Sequence, residues 1–142
     1  MRILALDPGG TSGIFVWTPD AVYHSQHDVA GTITRLASAS GVTAILAEHF
    51  APVRTSNAEP AELIGVARLQ AHILGIPFHR YTPAQAKNLA PNRLLARLGW
   101  HDPTQPHAND AARLVACYAL LDSDPESPLF AQVRAAKMEG EA

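Results

Sequence analysis

Asp7 closes the apolar run ILALD and is followed by a glycine-rich turn, Asp7-Pro8-Gly9-Gly10. Glu48 closes a second apolar run, VTAILAE, and Asp110 lies in HANDAARLVACYALL, three residues after His107. Carboxylates gathered in a poorly hydrated place repel one another and are costly to desolvate unless protons or a cation neutralise them. Two strand-end acids and a helix that presents a His and an Asp at positions i and i+3, hence on one face, form a candidate cage for a divalent cation. A donor set rich in hard oxygens suits Mg²⁺ or Mn²⁺ better than a structural zinc. The single cysteine, Cys117, excludes an internal disulfide and any multi-cysteine zinc site. Its place in an apolar helical run marks it as a small core residue.

Each of these residues also has an ordinary structural use. Asp7 can organise its own turn through backbone hydrogen bonds, and Glu48 can pair with an arginine at a strand end. His107 can cap its helix. Asp110 suits a helical first turn, where negative charge is favoured, and stands i, i+3 from Arg113. Lys87, taken alone, reads as a surface lysine. Trp17 and Trp100 read as packing residues, and the remaining histidines show no ligand-like spacing.

The elements that would position these groups follow from periodicity and punctuation. RILALD is a short apolar run fit for a central strand. GIFVW and AVYHSQ form a meander turned at Pro19-Asp20. A short helix is expected over 29–40, closed by Gly41, and VTAILAE is a second buried strand. A helix over 58–74 is expected, with Pro60 in its first turn and Gly75 beyond its end. IPFHRY is a strand, 83–99 is helical in pieces around Pro91, HDPTQP is a loop, and 108–121 is an amphipathic helix. The last dozen residues fit either a helix or a frayed tail. Strands first, then alternating helices and strands, imply an α/β fold: a mixed sheet with helices on both faces.

At 142 residues the chain is expected to be one domain, with a core over about 2–122 and a tail or helix over 123–142. Hydrophobic content of 47% and charged content of 17% fit a globular protein. No apolar run has the length of a membrane span and the N-terminus lacks a signal pattern, so the expected location is cytoplasmic. Net charge is −2, but it is unevenly spread. Residues 1–52 carry −2, residues 53–100 carry +4 from Arg54, Arg68, Arg80, Lys87, Arg93 and Arg97 against Glu59 and Glu62, and residues 101–142 carry −4. A basic middle could track a phosphate backbone, although six scattered cations also serve simply to solvate helices.

Taken in order, the motifs resemble the RuvC family of Holliday-junction resolvases, within the ribonuclease H-like superfamily. ILALDPGGTSGIFVW resembles the first strand, Asp-Pro-Gly turn and second strand of that family. ILAEHF resembles the strand that ends in its second catalytic acid. NAEPAELIGVAR resembles its Asn-Ala helix with Gly65, Ala67 and Arg68. YTPAQAK resembles the segment bearing a catalytic-site lysine, here Lys87, and HANDAARL resembles its last acidic motif. The match spans roughly 2–122, and the compact form is nearer the small phage-encoded members. The chain departs from the family in three places. The stretch from Lys87 to His107 is shorter and lacks a glycine-rich turn and second lysine, whose place Arg93 or Arg97 would take. His107 stands where the family has Asp or, as an alternative it also uses, His, and the aromatic after Glu48, Phe50, comes one position early.

The resemblance implies a ribonuclease H-like five-stranded mixed sheet and a nuclease of branched DNA, the four-way junction above all. It implies catalytic roles for Asp7, Glu48, Lys87, His107 and Asp110, and products with 5′-phosphate and 3′-hydroxyl ends. Two metal ions about 4 Å apart can activate a water and stabilise the leaving oxygen in an in-line displacement. Asp7 would bridge both, Glu48 would hold one, and His107 and Asp110 the other, while Lys87 would stabilise charge growing on the phosphate. Arg54, Arg68, Lys87, Arg93, Arg97 and Phe50 are the expected DNA contacts. Two strands to be cut imply a homodimer, with the helix at 58–74 as interface through Gly65, Ala67, Leu63, Val66, Leu69 and Ile73. Two alternatives stand: a branched-DNA-binding protein without cleavage, and an ATP-binding domain of the actin and sugar-kinase kind, whose phosphate loop DPGGTSG also resembles.

Overall fold

The computed structural model describes residues 1–49 and 58–141. Five strands form one sheet: β1 (Ile3–Asp7), β2 (Ser12–Trp17), β3 (Val22–His27), β4 (Ala44–Glu48) and β5 (Phe78–Tyr81), in the order β3-β2-β1-β4-β5. The β1-β2-β3 meander is antiparallel, and β4 and β5 run parallel to β1. Six helices accompany them among the described residues: α1 (Val29–Ala37), α2 (Ala58–Leu74), α3 (Pro83–Leu89), α4 (Asn92–Leu98), α5 (Pro106–Leu121) and α6 (Pro128–Glu141).

The two-residue period of a strand divides the core between the two faces of the sheet. Ile3, Ala5, Phe15, Trp17, Ala44 and Leu46 point to one side and pack with Ala112, Val115, Ala116 and Cys117 of α5 and with Leu95 and Trp100. Leu4, Leu6, Ile14, Val16 and Ile45 point to the other and pack with Leu36 and with Leu63, Ala67 and Ala71 of α2. The runs on β1 and β4 are buried on both sides, as expected of central strands flanked by helices. Each fully buried Leu, Ile or Phe contributes roughly 1.5–3 kcal/mol of hydrophobic stabilisation.

Local signals account for most helix ends. Asp28 caps α1, its side chain accepting from the Gly31 amide at 2.7 Å. Thr82 and Gln85 form a reciprocal capping box that starts α3 at Pro83. Pro91 precedes α4 and Gly99 ends it at φ +72°, a left-handed conformation that favours glycine. Helix α2 occupies the expected 58–74 range. One expectation changes and one open alternative is resolved. Helix α1 ends at Ala37, with Ser38 as its cap, short of residue 40. The C-terminal segment is a helix, not a frayed tail: Leu129, Val133 and Ala136 of α6 are buried in the same core as α5, and Trp17 donates from Nε1 to Gln132 Oε1 at 2.9 Å. Among the described residues, no helix is long and apolar enough to cross a membrane.

Candidate active site

Alternation that sends Ile3 and Ala5 toward α5 sends Asp7 the same way, and Ala44 and Leu46 do the same for Glu48. The parallel register pairs Leu6 with Ala47, so the next residues, Asp7 and Glu48, stand side by side at adjacent strand ends. Asp7 is only 8% exposed. Burial, the hydrogen-bonded Glu48 carboxyl and the nearby charges of Glu48 and Asp110 hold its pKa far above the usual carboxylate range, at about 9. Asp7 therefore keeps a proton at neutral pH unless a cation takes its place.

Helix α5 brings the remaining groups across the sheet. His107 Nδ1 lies 3.3 Å from Asp7 Oδ2, and Asp110 is one turn further along the same face. The start of α5 is held in three ways that the sequence reading did not single out. Gly13, the β2 partner of Asp7, lies directly beneath it: a Cβ there would overlap the backbone carbonyl of His107 and the amide of Ala108. Gln26, which pairs with Gly13 from β3, accepts from the His107 amide at 3.0 Å and so satisfies an otherwise orphan helix donor. Asn109, 5% exposed, fastens the preceding loop by accepting from the Asp102 amide at 2.9 Å and donating to the Asp102 carbonyl at 2.7 Å. Asp102 in turn accepts from Thr104 and Gln105, which depress its pKa to about 2. A glycine inside a strand signals close backbone approach, so Gly13 carried a legible hint; Gln26 and Asn109 did not.

Lys87, exposed on α3, lines one cleft with Glu48, Asp110 and Arg113. Arg113 is largely buried. It binds Asp110 at 3.2 Å, donates to the Ala90 carbonyl at 2.6 Å and also meets Asn92 Oδ1. The Asp110–Arg113 pair foreseen as the ordinary use of Asp110 thus exists, within the same cleft as Lys87.

The other expected DNA contacts are elsewhere. Arg68 lies 5.9 Å over the ring of Phe78, at the opposite end of β5 from Tyr81, which pairs with Glu48. Arg93 and Arg97 line a separate pocket between α4 and α6, so neither stands in the Lys87 cleft in place of a second lysine. Phe50 and Arg54 lie outside the described residues. Cys117 is buried, its thiol pushed up to about 12, consistent with packing alone. Trp17 and Trp100 are likewise core residues, each 1% exposed.

Two carboxylates and an imidazole gathered around a buried, charge-averse Asp7 fit a hard divalent cation in donor type. They are not closed into a ready-made cage: among the described residues no three His, Cys, Asp or Glu side chains converge that tightly. Glu48 and Asp110 are half-buried at the mouth of the site, where side chains can rotate.

No family model matches the chain, and no curated protein matches it significantly. Solved structures do. RuvC of Thermus thermophilus in complex with a Holliday junction substrate aligns at TM-score 0.65 and 20% identity, over 86% of this chain and 96% of that one. A second Thermus thermophilus RuvC structure aligns at TM-score 0.63 and 19% identity, over 85% and 96%. The fold is therefore the α/β, ribonuclease H-like fold of RuvC.

Proposed function

We propose that this protein is a divalent-metal-dependent endonuclease that resolves Holliday junctions or other branched DNA. The observation that carries the proposal is the pairing of Asp7 with Glu48 at the ends of adjacent central strands, with His107 3.3 Å from Asp7. Nothing in packing calls for two carboxylates at that point, and the same fold in a RuvC structure is bound to a Holliday junction.

Asp7, Glu48, His107 and Asp110 would hold Mg²⁺ or Mn²⁺, two ions per site. Bound there, the ions would supply Lewis acidity toward the phosphate and an acidified water. Asp7 would exchange its proton for the bound cation. His107 and Asp110 are presented from the fixed start of α5, so their positions depend on Gly13 and Gln26 beneath. Lys87, which lines the same cleft, would stabilise the negative charge that grows on the phosphate during displacement. A four-way junction, a flap and a linear duplex, each incubated with Mg²⁺, with Mn²⁺ and with EDTA, test the proposal. Cleavage of a branched substrate only with a divalent ion is the expected result; no cleavage under any of these conditions rejects it.

A second reading, a branched-DNA binder without cleavage, has one observation in its favour: the acids do not converge into a closed cage. It predicts junction binding with no cut in the same experiment.

Lys87→Ala is expected to lower the cleavage rate by about 10²–10³, the range for loss of one group that stabilises developing charge, while junction affinity falls no more than a few-fold. Single-turnover rates and anisotropy titrations separate the two. Weak binding with a normal rate would make Lys87 a backbone contact only.

Paired cutting of symmetry-related strands calls for two sites related by a two-fold axis. The face of α2 left for a second copy is narrower than its sequence implied. Leu63 and Ala67 are fully buried against the chain's own sheet and Val66 is half-buried, which leaves Gly65, Leu69 and Ile73, the last two 57% and 65% exposed. A Cβ at Gly65 meets nothing within 4 Å, so Gly65→Arg introduces a charge there without strain in the monomer. Sedimentation at micromolar concentration is expected to show a wild-type dimer and a Gly65→Arg monomer. A wild type that stays monomeric with and without junction DNA removes this interface.

A further inference from the structure

Away from the carboxylates, three cations converge on one pocket. Arg93 and Arg97, one turn apart on α4, face Lys137 of α6 across a pocket that Asn88 and Glu141 also line. Among the described residues none of the three cations has an ion-pair partner within 4.0 Å. Against Glu141 the pocket carries a surplus of two positive charges. Unpaired like charges held this close repel, and an anion seated between them turns that repulsion into attraction. Arg97 is also placed with some specificity: its guanidinium lies where a side chain at position 140 would be, and residue 140 is Gly.

The pocket adjoins the cleavage cleft. Helix α3 is a wall of both, with Pro83, Ala86 and Lys87 on the cleft side and Asn88 and Leu89 on the pocket side. Arg113 pins the far end of that wall by binding the Ala90 carbonyl and Asn92. A strand that lay in the cleft and passed Lys87 over the end of α3 would meet the three cations. In the cleft Lys87 and Arg113 only offset Glu48 and Asp110, so it offers a polyanion little net attraction and affinity must come from beside it. The net charge of −2 conceals this, because among the described residues Glu141 is the one acid that lines the pocket.

We propose that the α3–α4–α6 pocket is a backbone-phosphate site that Arg93, Arg97 and Lys137 form for the DNA strand running out of the cleavage cleft. It rests on the nuclease reading above and adds to it where the strand is gripped and that the C-terminal helix takes part. A phosphate contact of this kind releases counterions and so is read from salt dependence, without any need for cleavage.

The experiment measures binding of a fluorescein-labelled four-way junction by anisotropy, in EDTA, over a series of NaCl concentrations. It compares wild type with Arg97→Ala/Lys137→Ala, with the charge-preserving Arg97→Lys/Lys137→Arg, and with Arg35→Ala, a cation on α1 on the other side of the sheet. Loss of the phosphate contact is expected to flatten the slope of log affinity against log salt by about one unit. Affinity at fixed low salt should fall roughly tenfold. The charge-preserving pair should restore the slope, and Arg35→Ala should leave it unchanged. A wild-type slope in the alanine pair, or an equal effect from Arg35→Ala, overturns the site while leaving the nuclease reading intact. A wild type that binds no junction in any salt overturns both.

Discussion

Asp7→Asn is expected to reduce cleavage of a four-way junction to background, a loss of about 10³-fold or more, at or beyond the upper end of what one preorganised polar group contributes. The side chain keeps its shape and loses only its charge, and it is the one acid that meets Glu48, His107 and Asp110 together. Folding should not suffer. The Asp7 pKa is raised by burial and by the Glu48 carboxyl from 3.8 to about 9. The folded state thus holds a proton that the unfolded state has released. Its contribution to stability is fully present below 3.8 and is lost as pH rises toward about 9. Asparagine cannot titrate, so in metal-free buffer the variant should lack this part of the alkaline decline, with a melting temperature at pH 9 no lower than that of wild type. Divalent-ion affinity of the wild type should rise over the same interval, because loading displaces the proton. Single-turnover cleavage, thermal melts across pH and Mn²⁺ titrations of the wild type over the same pH interval measure the three effects. Undiminished cleavage by Asp7→Asn would remove Asp7 from the chemistry, whatever the melts show.

Gly13→Ala is expected to have the second largest effect, although residue 13 carries no reactive group. Its Cβ would overlap the backbone of His107 and Ala108, and backbone at the start of a buried helix cannot turn aside as a long side chain can. Either α5 lifts or β2 bends. Overpacking of this kind costs about 1–3 kcal/mol, which for a chain of this size lowers the melting temperature by roughly 3–10 °C. The lift also carries His107 and Asp110 away from Asp7 and Glu48. A displacement of about 1 Å between groups that must act together costs on the order of 10² in rate. Cleavage measured well below the variant's melting temperature separates misplacement from unfolding. A fully active Gly13→Ala would mean that the start of α5 has room to move and that its position is not what organises the site.

The local order of the chain was legible because it is written in short-range patterns. Apolar runs ending at Asp7 and Glu48 are strands ending in acids, whatever surrounds them. The helical start at residue 83, the break at Pro91 and the 58–74 helix follow from capping chemistry and steric restriction, which act within one or two turns. The C-terminal helix was ambiguous because its apolar positions are few, and only the groove beside α4 and α5 shows why Leu129, Val133 and Ala136 are there.

Which of the polar groups meet was decided by the tertiary structure. Asp7 and Glu48 are neighbours because β1 and β4 pair in parallel at one register; a slip of one residue would turn one carboxylate to the other face of the sheet. His107 reaches Asp7 only because a glycine sits beneath α5 at the paired position of β2. Arg93 and Arg97, close in sequence to Lys87, turn into a different pocket because α4 packs on α6, and Arg68 is drawn over Phe78 at the far end of β5. On α2, one face is consumed by the sheet, which takes Leu63 and Ala67 and leaves Leu69 and Ile73 outside. Sequence therefore determined which residues could do chemistry and which elements carry them. Register, close backbone approach and helix packing, all interactions between segments distant in the chain, decided which of those residues share a site.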